Sequence, residues 1–245
     1  MRERSRELIS FLMRHAAERV RQRIWLISDL QVADAGKASR LLGIAIGDFT
    51  ALGLSCDYVF YLGDAVGGRD TERIASSLDV QVDLLRELGI PVRFVLGNHD
   101  LDVLRFHARG EFPAAPGTRF DQVIRAFQRV PGWKTLPSLD AFYFIEEHER
   151  FLFLFLSDHG DPAGEWVATH GKVQGNADRY PHDDKAYQAL RDRLLAANKP
   201  ILSFGHYPFA GGTRHSALLD ALLPLPDNVK AHFCGHAHIG DAEKN

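Results

Sequence analysis

The sequence predicts an α/β fold built on parallel strands. Two observations carry this. Short β-rich apolar runs alternate with segments of helical spacing, and five of those runs stop at residues of one chemical kind. Residues 24–28 run into Asp29-Leu30-Gln31, and 58–62 into Gly63-Asp64. Residues 94–96 run into Gly97-Asn98-His99-Asp100, 202–204 into Gly205-His206, and 231–234 into Gly235-His236-Ala237-His238. Ligands of parallel sheets gather at the carboxyl ends of the strands. One His after a strand is more often a satisfied surface or core residue. Five endings drawn from Asp, Asn, Gln and His instead point to a shared metal site.

A chain of 245 residues, 45% of them hydrophobic, is long enough to bury one full core. Residues 1–23 read as an N-terminal amphipathic helix, with Leu8, Leu12, Ala16 and Val20 at four-residue spacing. It carries seven arginines and three glutamates, so packing on the domain competes with lying on a membrane or holding a partner. Residues 24–245 are expected to form a single catalytic domain.

After the first strand, residues 38–54 read as a helix with Leu41, Leu42, Ala45, Phe49 and Leu52 inward. Residues 63–68 form a glycine-rich loop where main chain can approach a ligand closely. A second helix spans 71–88 and is stopped by Gly89 and Pro91. The pattern weakens from 102 to 137, as in a substrate-facing insertion, with a short helix expected over 120–130. Residues 141–145 and 151–156 read as a hairpin, with His148 solvated in its turn. His159, His170 and His182 fall in the polar stretch that follows, and His159 is a candidate substrate contact. A helix over 185–197, capped by Asp183 or Asp184, leads to the fourth of the five strands. Gly211-Gly212 and a helix near 217–223 precede the last one, and the sequence ends seven residues after His238.

The formal charge of −3, from 29 basic and 32 acidic residues, gives no global field favouring nucleic acid or an anionic membrane. Cys56 and Cys234, beside or within strands expected to be buried, suit free thiols in a reducing compartment. There is no apolar run of transmembrane length and no signal-peptide pattern, so the expected location is the cytoplasm.

The order Asp-x-Gln, Gly-Asp, Gly-Asn-His-Asp, Gly-His, Gly-His-x-His resembles the calcineurin-like metallophosphoesterase superfamily, from about residue 24 to 239. That superfamily usually has His in the first motif, where this chain has Gln31. The Asp-x-Gln form looks like the manganese-dependent ADP-ribose/CDP-alcohol diphosphatase branch. The resemblance implies a four-layer αββα sandwich of mixed sheets flanked by helices, with a second sheet that is short, truncated or completed by a partner. It also implies two divalent ions, Mn²⁺ foremost, with Fe, Mg²⁺ and Zn²⁺ as alternatives. Asp64 would bridge them. Asp29, His238 and the weaker ligand Gln31 would hold the first ion, and Asn98, His206 and His236 the second. Water between the ions would attack phosphorus. His99 would give a proton to the leaving oxygen, and Asp100 would orient His99 and raise its basicity.

Two such ions, about 3.5–4 Å apart, stabilise both the attacking and the leaving oxygen of an in-line displacement. An oxygen donor such as Gln31 favours Mn²⁺ or Mg²⁺ over ions that prefer nitrogen. The expected function is therefore hydrolysis of a phosphodiester or nucleotide diphosphate bond of the ADP-ribose/CDP-alcohol kind. The expected partner is a small phosphorylated or nucleotide substrate rather than nucleic acid; the oligomeric state is open, a dimer included. The alternative enzyme reading is a cyclic-nucleotide or other phosphodiesterase. From a different class comes a catalytically reduced binding scaffold of the same fold, motivated by Gln31 and the short carboxyl end. Arg69, Arg105 and Arg179 are candidate phosphate partners, and no residue is assigned to the rest of the substrate.

Overall fold

The computed structural model describes residues 22–67, 70–97, 99–100, 128–135, 143–157, 184–208, 222 and 224–236. Strands β1 (Ile24–Ile27), β2 (Tyr58–Leu62) and β3 (Val92–Val95) form a parallel sheet in that order. In the second sheet, β4 (Tyr143–Glu147) lies antiparallel to β5 (Leu152–Leu156). Strands β6 (Ile201–Gly205) and β7 (Val229–Cys234) then add in parallel. The described helices are α1 (Ala35–Ala51), α2 (Thr71–Glu87) and α3 (Asp184–Ala196).

Side chains alternate across a strand, so each sheet offers two faces, and three apolar clusters show what covers them. Val59, Tyr61, Val92 and Phe94 pack under Leu42 of α1 and Ile74, Leu78 and Leu85 of α2. On the opposite face of that sheet, Phe60, Leu62 and Val95 meet Phe153, Phe155 and Phe204 of the second sheet. Leu154, Leu156 and Ile201 then pack against Leu190 and Leu194 of α3. The layers are helix, sheet, sheet, helix, which is the expected αββα sandwich. The ring of Phe60 meets Phe153, Phe155 and Phe204 edge-on, with centroids 5.4, 4.9 and 4.7 Å away, the geometry that aromatic quadrupoles prefer.

Polar side chains of α2 fix the loops that follow the strands. Ser77 donates to the Val32 carbonyl beyond β1 at 2.5 Å. Gln81 donates to the Ala65 carbonyl beyond β2 at 3.1 Å and accepts from the Tyr61 hydroxyl. The described part of the glycine-rich loop is therefore internal, with Ala65 and Val66 buried.

Four expectations need correction. Helix α1 begins at Ala35 rather than 38, because Asp34 is its N-cap and accepts the Lys37 N–H at 2.8 Å. His148 is not solvated: its ring packs 4.4 Å from that of Phe153, Nδ1 meets the Gln22 amide at 3.2 Å, and burial lowers its pKa. Trp133 and Thr135, in the stretch read as a substrate-facing insertion, are buried, and Lys134 pairs with Arg93 of β3. Strand β7 is an edge strand, and Cys234 at its end is exposed. Both cysteines are free.

The sheets are also joined by a buried ion pair. Arg93 Nε of β3 donates to Glu146 Oε2 of β4 at 2.7 Å, with both side chains under 10% exposed. No described helix is long and apolar enough to cross a membrane.

Candidate metal centre

The strand ends meet at the carboxyl edge of the two sheets. Asp64 follows β2, His206 follows β6 and His236 follows β7. One ligand atom from each lies within 4.8 Å of the others. Asp64 and His206 are fully buried.

The tautomer of His206 follows from its partners. Nδ1 lies 2.9 Å from the Leu62 carbonyl, which can only accept, so Nδ1 carries a proton. Nε2 is thereby turned to the centre, 3.2 Å from Asp64 Oδ2 and 3.2 Å from His236 Nδ1. A hydrogen bond at one ring nitrogen that frees the other for a cation is the usual arrangement of metal-binding histidines. Burial works against charge on His206, yet the hydrogen bond and charge of Asp64 and the Leu62 carbonyl outweigh it and raise its pKa. Burial likewise raises that of Asp64, but His206 and the His99 N–H lower it on balance. Asp64 thus favours positive charge on His206 at a point where a divalent cation would replace the proton. The donor set fits such an ion.

Asp29 lies beside this group. Its carboxylate accepts from the Ser28 hydroxyl, at 2.5 Å, and from the His236 N–H at 3.0 Å. Gln31 Nε2 donates to Asp64 Oδ2 at 2.9 Å, so its amide meets the centre nitrogen first. The His99 N–H donates to Asp64 Oδ1 at 2.8 Å. Asp100 is fully buried, and its hydrogen bonds are to the main-chain N–H groups of Asp64, Val66 and Gly97. Burial and the nearby Asp64 charge push its pKa up to about 7, against the pull of the Gly97 and Val66 amides. Asn98, His238, His159, His170, His182, Arg69, Arg105 and Arg179 lie outside the described residues.

Backbone strain marks the same place. Among the described residues, the non-glycine ones with positive φ are Asp29 (59°), Gln31 (49°), Asp64 (55°) and His236 (63°), all of them candidate ligands. Left-handed conformations at non-glycine residues cost energy and cluster at functional sites. The main-chain contacts that hold them include the Asp29 N–H to the Gly63 carbonyl at 3.1 Å and the Gln31 N–H to the Asp64 carbonyl at 2.9 Å. Two glycines permit the close approach. A Cβ at Gly97 would fall on the carboxylate and main-chain nitrogen of Asp64, and one at Gly235 on Ser28 and Asp29.

Three supporting residues had no motif to announce them. Ser157, after β5, accepts the Leu96 N–H at 2.8 Å and links the two sheets beneath the site. Tyr207 places its ring 4.5 Å from that of His236. Ser28 gave no signal beyond standing before Asp29.

A sequence profile described as calcineurin-like phosphoesterase matches residues 22–240. A search of curated proteins returns no match. Among solved structures, the chain is similar to the crystal structure of Pseudomonas putida nuclease MPE, with 16% identity and a TM-score of 0.31. The alignment covers 74% of this chain and 60% of that nuclease. With the family profile spanning most of its length, the chain belongs to the calcineurin-like phosphoesterases.

Proposed function

We propose that this chain is a phosphoric ester hydrolase that cleaves a phosphodiester or nucleotide diphosphate bond, of the kind found in ADP-ribose and CDP-alcohols, with Mn²⁺ as its preferred ion. The observation that carries the metal-dependent part is the convergence of Asp64, His206 and His236 within 4.8 Å. The diphosphate part rests on Asp29-Leu30-Gln31 and is a resemblance of sequence.

Asp64, His206 and His236, with Asn98 by motif, would hold one ion, and Asp29 and Gln31, with His238 by motif, the other. When bound, the ions supply a nucleophilic water near neutral pH and charge stabilisation at phosphorus. The remaining work falls to the chain. His206 Nε2 is held toward the ligand group by the Leu62 carbonyl, and Asp64 by the His99 N–H. His99 donates a proton to the leaving oxygen through its imidazole. The domain proposed to do this is residues 24–245; the helix expected over residues 1–23 lies outside the described residues except for Gln22 and Arg23, which are not helical.

The test is hydrolysis of ADP-ribose, CDP-choline, a cyclic nucleotide and bis(p-nitrophenyl) phosphate after chelation and return of Mn²⁺. Turnover of the first two above the others is expected. Preference for the cyclic nucleotide moves the assignment to a cyclic-nucleotide phosphodiesterase, and activity on monoesters alone refutes both.

A further inference from the structure

We infer that Asp100 is a positioning residue of the metal centre, whose carboxylate locks together the main chain of the turns after β2 and β3. This rests on the reading of Asp64 as a metal ligand, and it differs from the imidazole-orienting role that the motif implies.

Three buried N–H groups converge on one side chain. Asp100 Oδ2 accepts from Asp64 and from Gly97, each at 2.8 Å, and Oδ1 accepts from Val66 at 3.0 Å. Two of those donors belong to the turn that presents Asp64. The third, Gly97, immediately precedes the candidate ligand Asn98. The lock is reciprocal: while the Asp100 carboxylate holds the Asp64 main chain, the Asp64 carboxylate accepts the His99 N–H at 2.8 Å. Each turn therefore fixes the other through a side chain and an amide. The left-handed conformation of Asp64, φ 55°, lies inside this exchange. Strain of that sort persists only where surrounding contacts over-determine it.

The residue type follows from the count of donors. A carboxylate has only acceptors, with room on two oxygens for three N–H groups. An asparagine of the same shape has one oxygen and one NH₂, so either Val66 or the Asp64 and Gly97 pair would face another donor. Asp100→Asn should therefore loosen the turn carrying Asp64 even though it preserves volume. Partners that orient metal ligands change affinity by roughly 10–100-fold when altered.

The experiment uses the full chain in three parts. Hydrogen exchange on metal-free wild type should find the amides of Asp64, Val66 and Gly97 among the slowly exchanging ones. Calorimetric titration with Mn²⁺ should show Asp100→Asn binding roughly 10–100-fold more weakly, by the same factor with His99 present or replaced by Ala. At saturating Mn²⁺, the pH profile of residual turnover should keep its wild-type shape. Wild-type Mn²⁺ affinity in Asp100→Asn, or an effect that vanishes in the His99→Ala background, overturns the inference. If the variant does not fold, exchange on the wild-type chain decides, and fast exchange at those amides refutes the lock. Protected amides in a wild-type chain that takes up no Mn²⁺ would support the lock and overturn the metal reading alone.

Discussion

The main-chain N–H of His236 donates to both carboxylate oxygens of Asp29, at 3.2 and 3.0 Å, across 207 positions of sequence. This joins the ends of β1 and β7, which among the described strands lie at the edges of the two sheets. Gly235 makes the approach feasible, since a Cβ there would overlap the Ser28 hydroxyl and come within 2.5 Å of Asp29 Oδ2. Neither neighbour is the far end of a flexible side chain. Gly235→Ala should therefore push His236 out of position while leaving the sheets formed. A loss of Mn²⁺ affinity of roughly tenfold or more is expected by calorimetry, with unchanged far-UV circular dichroism. Wild-type affinity in this variant would show that the two edges need not meet so closely.

The proposed preference for Mn²⁺ turns on Gln31. Its amide nitrogen donates to Asp64 Oδ2 at 2.9 Å, and with the amide turned over it would offer an oxygen where imidazole nitrogen is usual in the superfamily. Oxygen donors suit Mn²⁺ and Mg²⁺, and imidazole suits Zn²⁺. After chelation, activity should return with Mn²⁺ and be weaker with Zn²⁺, and Gln31→His should narrow that difference. Equal activity of the wild-type protein with both ions removes the argument.

His99 contributes a main-chain N–H to Asp64, which any residue but proline would supply at that position. Its imidazole is therefore separable from metal retention. His99→Ala should keep Mn²⁺ binding and lose on the order of 10²–10⁴ in kcat, the usual range for a general acid. Titration calorimetry beside steady-state kinetics checks both halves. Loss of the metal on this change would assign the imidazole to coordination.

Much of this arrangement was legible in the sequence because covered sheets leave a plain trace. Strands such as β2 and β5 are apolar on both faces, so they read as continuous runs, and just past the end of β2 stands the candidate metal ligand Asp64. Main-chain partners leave no such trace. Nothing in the residue types of the Gly-Asn-His-Asp motif says that Asp100 meets three amides, because every residue but proline carries the same N–H. The left-handed φ at Gln31 and His236 was equally hidden, since neither residue type requires it. His148 was misread because charged neighbours in a hairpin turn suggest water, whereas Tyr58, Phe151 and Phe153 surround its ring.

The buried pair Arg93–Glu146 should behave unlike a surface salt bridge. Arg93 also donates to the carbonyls of Val92 and Gly132, and its guanidinium lies 5.0 Å from the Tyr58 ring. Removing Glu146 leaves the Arg93 charge buried without its carboxylate, which costs about 3–5 kcal/mol. Glu146→Ala should lower stability by that order in urea denaturation, and the double change Arg93→Met with Glu146→Leu should restore much of it. A single change that costs less than about 1 kcal/mol would mean water reaches the arginine.

His232 makes stability depend on pH in mildly acid solution. Its Nε2 lies 2.8 Å from the Tyr207 carbonyl, which can only accept, so Nε2 carries the proton and Nδ1 accepts from the Ser203 hydroxyl at 2.7 Å. Burial, partly countered by the Tyr207 carbonyl, lowers its pKa from 6.5 to about 4. As pH falls, the unfolded chain takes up this proton near 6.5 while the folded chain resists until about 4. The stabilisation is therefore complete above pH 6.5 and drains away between 6.5 and 4, about 3 kcal/mol in all. His232→Gln can keep a donor and an acceptor but does not titrate. With chelator present, so that metal binding plays no part, the stability gap between wild type and His232→Gln should shift by roughly 2 kcal/mol from pH 7.5 to 5, toward the variant. A gap that holds constant between those values would mean that the imidazole is protonated as readily in the folded chain as in the unfolded one.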